Sequence, residues 1–117
     1  MARVLILESN PAVRRLLQLR LERLGHEAVL PGGGETALET IDAAVVEPAD
    51  PGMLAFARSL RRDDPNLPIV VSSVRGRSLE TAFLRPAAHL VKPFAISRFE
   101  RAVDDALALA WPLAQAS

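Results

Sequence analysis

The sequence predicts an α/β fold in which helices cover both faces of a five-stranded parallel sheet, that is, a doubly wound sheet. Short apolar runs alternate five times with segments whose apolar residues recur at helical spacing, and this alternation is typical of parallel strands joined by crossover helices. The runs are nearly continuous, as expected of strands that are buried on both faces. A chain of 117 residues fits a single domain.

The first half of the chain contributes three predicted strands. The first strand covers Val4–Leu7, and Asn10 or Ser9 caps a helix that begins at Pro11, where the missing proline N–H costs nothing. This helix ends at Gly25, a predicted left-handed residue after the last turn. The further elements predicted here are a strand over His26–Leu30, a helix over Glu35–Ile41 and a strand over Ala43–Val46.

The second half contributes two more strands and the remaining helices. A helix over Met53–Arg62 is expected to have one apolar stripe and to leave Arg61 in solvent. The other predicted elements are a strand over Leu67–Val71, a short helix from Ser78 to Arg85, a strand over His89–Val91 and a helix from Ile96 to Trp111. Residues 1–111 are therefore expected to form one domain, followed by a tail over residues 112–117.

Composition and charge exclude several classes of protein. The formal net charge is zero, so no overall field attracts the chain to nucleic acid or to an anionic membrane. The absence of cysteine excludes disulfides and thiolate metal sites. Every apolar run is too short for a signal-peptide core or a membrane span. We therefore expect a cytoplasmic protein that binds neither nucleic acid nor membrane through this domain.

Polar side chains follow four of the predicted strands at their carboxyl ends. Ligands of doubly wound sheets bind at this edge, where the strand order reverses. Two carboxylates, one hydroxyl and one ammonium group would meet there and form a candidate site for a cation and a phosphate group. The residues concerned are Glu8, Glu47, Ser73 and Lys92, the last of which is the only lysine in the chain.

Several segments, taken in order, resemble the receiver domain of two-component response regulators, and the resemblance covers Arg3 to about Leu109. It implies a flavodoxin-like (βα)5 fold with strand order 2-1-3-4-5, and a phosphorelay signalling module without enzymatic activity of its own. The segments that carry the resemblance are Val4–Glu8 with Pro11 and Arg14, Gly34–Leu38, Pro51–Met53, Pro68–Val71 with the hydroxyl residue that follows, and Leu90–Phe94.

The resemblance assigns a role to each candidate residue. Glu47 occupies the position of the aspartate that accepts a phosphoryl group from a histidine kinase. Glu8 and Ser9 occupy the position of the acidic pair that holds Mg²⁺. The positions that contact the phosphoryl group or switch in response to it correspond to Ser73, His89 and Lys92.

Two departures from the family pattern predict a pseudo-receiver that is not phosphorylated in the usual way. Glu47 is one methylene longer than aspartate, which moves its carboxylate roughly 1.5 Å further out, and a displacement of this size can cost on the order of a hundredfold in rate. Ser9 supplies no carboxylate, so Glu8 and Glu47 alone should bind Mg²⁺ poorly, and we expect no cofactor. An ion pair between Glu47 and Lys92 would imitate the contact of an activated receiver.

Two other functions remain open. One is a conventional phospho-accepting receiver with unusual chemistry, and the other is a small nucleotide or flavin binder that uses Gly32–Gly34 as its loop. Asp50 offers a displaced phospho-acceptor, but its place between two prolines favours a turn role. His26 has no second ligand at a suitable spacing, so we predict no metal there.

The resemblance also implies a protein partner. In receivers the face made by the fourth helix, the fifth strand and the fifth helix docks other signalling proteins or a second copy of the domain. We expect the same face here to bind a signalling protein or to form a homodimer. Its outward patch would comprise Phe94, Ile96 and Trp111 together with the loop that contains Arg75 and Arg77.

Overall fold

Five parallel strands form one sheet in the order β2-β1-β3-β4-β5. The strands are β1 (Arg3–Leu7), β2 (Glu27–Val29), β3 (Ala43–Val46), β4 (Ile69–Ser73) and β5 (Ala88–Val91). The predicted doubly wound sheet and its strand order are thereby confirmed. The computed structural model describes residues 2–32 and 40–116, with side chains to residue 109. Most of the helix predicted over Glu35–Ile41 therefore lies outside the described residues.

Four helices are described, and a capping side chain precedes the first three of them. They are α1 (Pro11–Arg23), α2 (Pro51–Asp63), α3 (Leu79–Ala82) and α4 (Ile96–Ala116). The side-chain oxygen of Asn10 accepts hydrogen bonds from the N–H groups of Ala12 and Val13, at 2.9 and 3.2 Å, which caps α1 as predicted. Gly25 follows α1 with a φ of 88°, the left-handed conformation that glycine adopts without strain.

Two apolar layers bury the sheet, one on each face. Alternate residues of a strand point to opposite faces, so Val4 and Ile6 of β1 join one layer and Leu5 and Leu7 the other. Leu17 of α1 and Phe99 of α4 are fully buried in the first layer, beneath two helices. The second layer lies beneath α2 and includes Leu54 and Ala57. The central strands are therefore covered on both faces, as their continuous apolar sequences indicate.

Three helix boundaries differ from prediction. Helix α2 begins at Pro51 rather than Met53, because Asp50 caps it. Helix α3 ends at Ala82, short of the predicted Arg85, and turns follow it. Helix α4 runs past Trp111 to Ala116; proline removes only one backbone donor, so a helix can continue beyond it at a cost.

Arg61, expected in solvent, is instead buried within the fold, with an exposed fraction of 4%. Its guanidinium group donates to main-chain carbonyls of the segments that follow α2 and α3, and these hydrogen bonds replace the water that it loses.

No helix within the described ranges is long and apolar enough to cross a lipid bilayer.

Candidate functional site

The strand register brings the predicted site residues to one edge of the sheet. Leu7 pairs with Val46, and Val46 pairs with Val71, so the residues that follow β1 and β3 and the end of β4 lie side by side. The N–H of Glu47 donates to the carbonyl of Leu7 at 2.8 Å, and the N–H of Lys92 donates to the carbonyl of Ser73 at 2.7 Å. These bonds extend the sheet to the level of the candidate site.

Glu8 holds Lys92 in an ion pair at the centre of this edge. The ammonium nitrogen of Lys92 lies 2.6 Å from Oε1 of Glu8, and Glu8 has an exposed fraction of 1%. Its second oxygen, Oε2, accepts a hydrogen bond from the N–H of Asn10 at 3.1 Å, while Arg14 donates to its main-chain carbonyl at 3.3 Å. Both carboxylate oxygens of Glu8 are therefore engaged by donors.

The ion pair expected between Lys92 and Glu47 is not formed. Oε1 of Glu47 instead accepts a hydrogen bond from the N–H of Ala49 at 2.9 Å, which folds the carboxylate back onto its own loop. Oε2 of Glu47 is buried and has no hydrogen-bond partner among the described residues. The sequence leaves open which carboxylate Lys92 meets. In the structure Glu8, whose other oxygen accepts from the N–H of Asn10, binds Lys92, while Glu47 turns to the N–H of Ala49.

Ser73 and His89 both hold the loop that contains Arg75. The hydroxyl oxygen of Ser73, which is buried, accepts a hydrogen bond from the N–H of Arg75 at 3.1 Å. Nε2 of His89 lies 3.0 Å from the carbonyl oxygen of Arg75, to which a protonated Nε2 donates. The two predicted contact positions are thus joined to the same short segment. Ser9 is exposed to solvent beside the site.

One site residue that the prediction did not include is Ser72. Its hydroxyl is fully buried and makes no hydrogen bond with a described residue. Because Val46 pairs with Val71, Ser72 lies next to Glu47 across the two strands. The only signal in the sequence is the pair of serines that ends an otherwise apolar strand.

A groove of about 580 Å³ lies beside Ser73, between the loops that follow β3 and β4. Pro48 and Ala49 form one wall, and Arg75 and Leu79 belong to the other. Residues of α3 also line this groove, so the loops next to the candidate site and α3 share one concave surface.

The remaining candidate residues have structural roles. Asp50 accepts hydrogen bonds from the N–H groups of Gly52 and Met53, at 2.8 and 3.0 Å, which confirms its predicted turn role. Nδ1 of His26 accepts from the N–H of Ala2, and Nε2 lies 3.6 Å from Asp104. The proposed glycine loop lies mostly outside the described residues. Within the described ranges, no three carboxylate or imidazole side chains are grouped to hold a metal ion.

The outward patch predicted for the partner surface is partly wrong. Phe94, which precedes α4, and Ile96, its first residue, are partly buried and pack against the apolar layer beneath α1 and α4. The side chain of Trp111 lies outside the described residues. The exposed apolar side chains near this face are instead those of Val74, Leu79 and Val91.

No family model and no curated protein matches the chain, whereas solved structures do. A sensor protein from Polaromonas sp. JS666 is 28% identical, with a TM-score of 0.76 over 93% of this chain and 98% of its own. A CheY-like receiver domain protein from Methanospirillum hungatei JF-1 is 15% identical, with a TM-score of 0.80 over 96% of this chain and 98% of its own.

The response regulator TrrA from Thermotoga maritima, solved with Mg²⁺ and beryllium fluoride, is 22% identical, with a TM-score of 0.73 over 91% of this chain and 99% of its own. A second structure contains TrrA in complex with the histidine kinase ThkA, and its match to this chain has a TM-score of 0.72 over 92% of this chain and 99% of the matched one. The structural neighbours of this chain are thus response-regulator receiver domains, and the chain has their CheY-like fold.

Proposed function

We propose that this chain is a receiver-like signalling module that acts through protein–protein contacts, has no enzymatic activity, and is not phosphorylated in the usual way. The observation that carries the proposal is the arrangement of the two buried carboxylates. Lys92 is held by Glu8 at 2.6 Å, and Glu47 is folded onto the N–H of Ala49. Lys92 is therefore engaged by another residue, and the carboxylate at the acceptor position is held on its own loop through one oxygen while the other oxygen is buried.

Phosphoryl transfer requires an oxygen nucleophile in line with the phosphorus atom of the donor. Oε1 of Glu47 is bound to its own loop, Oε2 is buried, and the residue has an exposed fraction of 7%. A phosphodonor would therefore reach Glu47 only after its carboxylate had left the N–H of Ala49 and become exposed. The buried, hydrogen-bonded carboxylate supports a fixed surface rather than a phosphorylation switch.

The donor set does not fit the Mg²⁺ ion that is present in the neighbouring TrrA structure. Mg²⁺ prefers charged oxygens in nearly ideal octahedral geometry. Both oxygens of Glu8 already accept from Lys92 and from the N–H of Asn10, and Ser9 offers only a neutral hydroxyl. An incoming Mg²⁺ ion would have to displace an ammonium group from Glu8, so we propose that the module works without a metal cofactor.

A phosphodonor assay tests the proposal. The chain is incubated with acetyl phosphate and Mg²⁺, and its intact mass is recorded alongside that of the Glu47→Gln variant. We expect neither protein to gain a phosphoryl group. A stoichiometric gain by the natural chain that Glu47→Gln abolishes would contradict the proposal.

The alternative function is a conventional phospho-accepting receiver. One observation favours it, because Oε2 of Glu47 makes no hydrogen bond with a described residue, so this oxygen would have no donor to leave before it attacked phosphorus. The same mass measurement separates the two functions, since only this alternative predicts the gain.

We further propose that a signalling protein docks on the face formed by α3, β5 and the start of α4. Leu79 of α3 has an exposed fraction of 93%, and Val74 and Val91 are exposed beside it. One neighbouring structure contains a response regulator with its histidine kinase, which supports a signalling partner. A second copy of the chain is the alternative occupant of this face, and sedimentation of the purified chain over a range of concentrations distinguishes them.

A further inference from the structure

A second candidate site lies at the opposite edge of the sheet, around the buried guanidinium group of Arg61. Its Nε donates to the carbonyl of Leu84 at 2.7 Å, and its Nη1 donates to the carbonyl of Pro65 at 2.9 Å. A longer contact of 3.5 Å joins Nη2 to the carbonyl of Arg85. All of these acceptors are neutral main-chain oxygens, so they hold Arg61 in place without balancing its charge.

The positive charge at this edge is therefore left without a contacting carboxylate. Burial lowers the pKa of Arg61, and the neighbouring charge of Arg85 lowers it further, while Asp64 offsets part of the shift. Asp64 forms no ion pair with Arg61 within 4 Å. Burial is the larger cause of this pKa shift, and the contribution of Arg85 shows that a second positive charge lies close to Arg61.

Two exposed arginines extend the positive charge onto the surface. Arg62 and Arg85 both lie on the rim above Arg61, and neither forms an ion pair with a described residue. Two other arginines, Arg3 and Arg20, do pair with glutamates. Arg62 donates a hydrogen bond to the hydroxyl of Ser59 at 3.2 Å, but neither rim arginine is neutralised by a carboxylate of the described residues, so both can meet an anionic group from outside the chain.

Apolar hollows flank this charged centre on two sides, and Arg61 and Arg85 line both of them. The first has a volume of about 450 Å³ and contains the half-exposed ring of Phe83. The second has a volume of about 210 Å³ and is bordered by Leu109, whose exposed fraction is 66%. The other apolar lining residues are Pro65 and Ala82 in the first hollow and Pro65, Leu67, Pro68, Ala87 and Ala106 in the second.

We propose that this groove binds a short segment of a partner protein in which acidic side chains lie between two apolar ones. The apolar side chains would fill the two hollows, and the acidic group would meet Arg62 and Arg85. Arg61 would act as a positioning residue, because it fixes the main chain at Arg85. This inference concerns a different surface from the Glu47 site and does not depend on the proposed function.

A titration of the ¹⁵N-labelled chain with blocked peptides tests the inference. The probe is acetyl-Leu-Glu-Asp-Leu-amide, and the matched peptides replace both acidic residues by lysine or by alanine. We expect amide shifts confined to the residues around the two hollows, 61–67, 82–87 and 106–109, and an affinity for each matched peptide lower by at least about tenfold, which corresponds to about 1.4 kcal/mol. Equal affinity for the alanine peptide, shifts elsewhere in the chain, or no shifts would overturn the proposal.

Charge reversal of the rim supplies the matched protein variants. Arg62→Glu and Arg85→Glu should each weaken binding of the acidic peptide by about tenfold, whereas Arg15→Glu on the exposed face of α1 should leave it unchanged. Equal losses in all three variants would overturn the proposal. The same amide shifts produced by concentrating the protein alone would show a second copy of the chain in the groove, and would also overturn it.

Discussion

The ion pair between Glu8 and Lys92 makes an asymmetric prediction about stability. Glu8 is buried almost completely, with 2% of its side chain exposed, whereas 19% of the Lys92 side chain is exposed. Lys92→Met leaves a buried carboxylate with only the N–H of Asn10 as a donor, and breaking a buried pair in this way costs about 3 kcal/mol. Glu8→Gln leaves an ammonium group that can turn to water, so we expect a cost of about 1 kcal/mol.

The coupling free energy between Glu8 and Lys92, obtained from a double-mutant cycle, measures the strength of the ion pair itself. At 2.6 Å and an effective dielectric constant of 20, the Coulomb attraction is about 6 kcal/mol, and desolvation removes most of it. We expect a coupling free energy of about 1.5–2 kcal/mol from urea unfolding of the two single variants and the double variant. A coupling below about 0.5 kcal/mol, or a larger loss for Glu8→Gln than for Lys92→Met, would refute the reasoning.

Three further predictions concern other parts of the molecule. Asp50→Ala removes the cap of α2 and should lower the free energy of unfolding by about 1 kcal/mol in a urea titration. Arg61→Met leaves several buried carbonyls without a donor and should lower the free energy of unfolding by about 2–3 kcal/mol. Arg62→Met, at an exposed position, should change it by no more than about 0.5 kcal/mol. Equal losses in the two variants would contradict the burial of Arg61. Reversing the charge of Arg75 should weaken partner binding in a pull-down more than Glu47→Gln does. Equal losses of binding by two folded variants would indicate that the partner contacts the acceptor position.

The strands and several helix ends were predictable from the sequence because their causes are local. Continuous apolar runs such as Ala43–Val46 indicate strands that are covered on both faces. Asn10 before Pro11, and Gly25 after α1, are boundary signals that act through their nearest neighbours in the chain. Local chemistry therefore placed each candidate residue at the correct edge of the sheet.

The pairing within the site was not predictable, because it depends on contacts between residues far apart in the chain. The carboxylates that end β1 and β3 lie on adjacent strands, and the sequence does not indicate which one Lys92 meets. Lys92 meets Glu8 because the N–H groups of Asn10 and Ala49 fix the carboxylates of Glu8 and Glu47 in different directions. Backbone donors of two loops therefore decide the electrostatics of the site.

The burial of Arg61 escaped prediction for a related reason. An arginine in the last turn of a helix usually extends into solvent, where it also complements the helix dipole. Here, the chain after α3 brings the carbonyls of Leu84 and Arg85 over the end of α2. The helical pattern of α2 contains no information about that distant segment.

The most direct test of the central claim is the intact mass of the chain after incubation with acetyl phosphate and Mg²⁺, measured beside a Ser9→Asp/Glu47→Asp variant. The variant restores both carboxylates of the receiver pattern and serves as the positive control. We expect the natural chain to keep its mass and the variant to gain one phosphoryl group. Stoichiometric phosphorylation of the natural chain at Glu47 would contradict it.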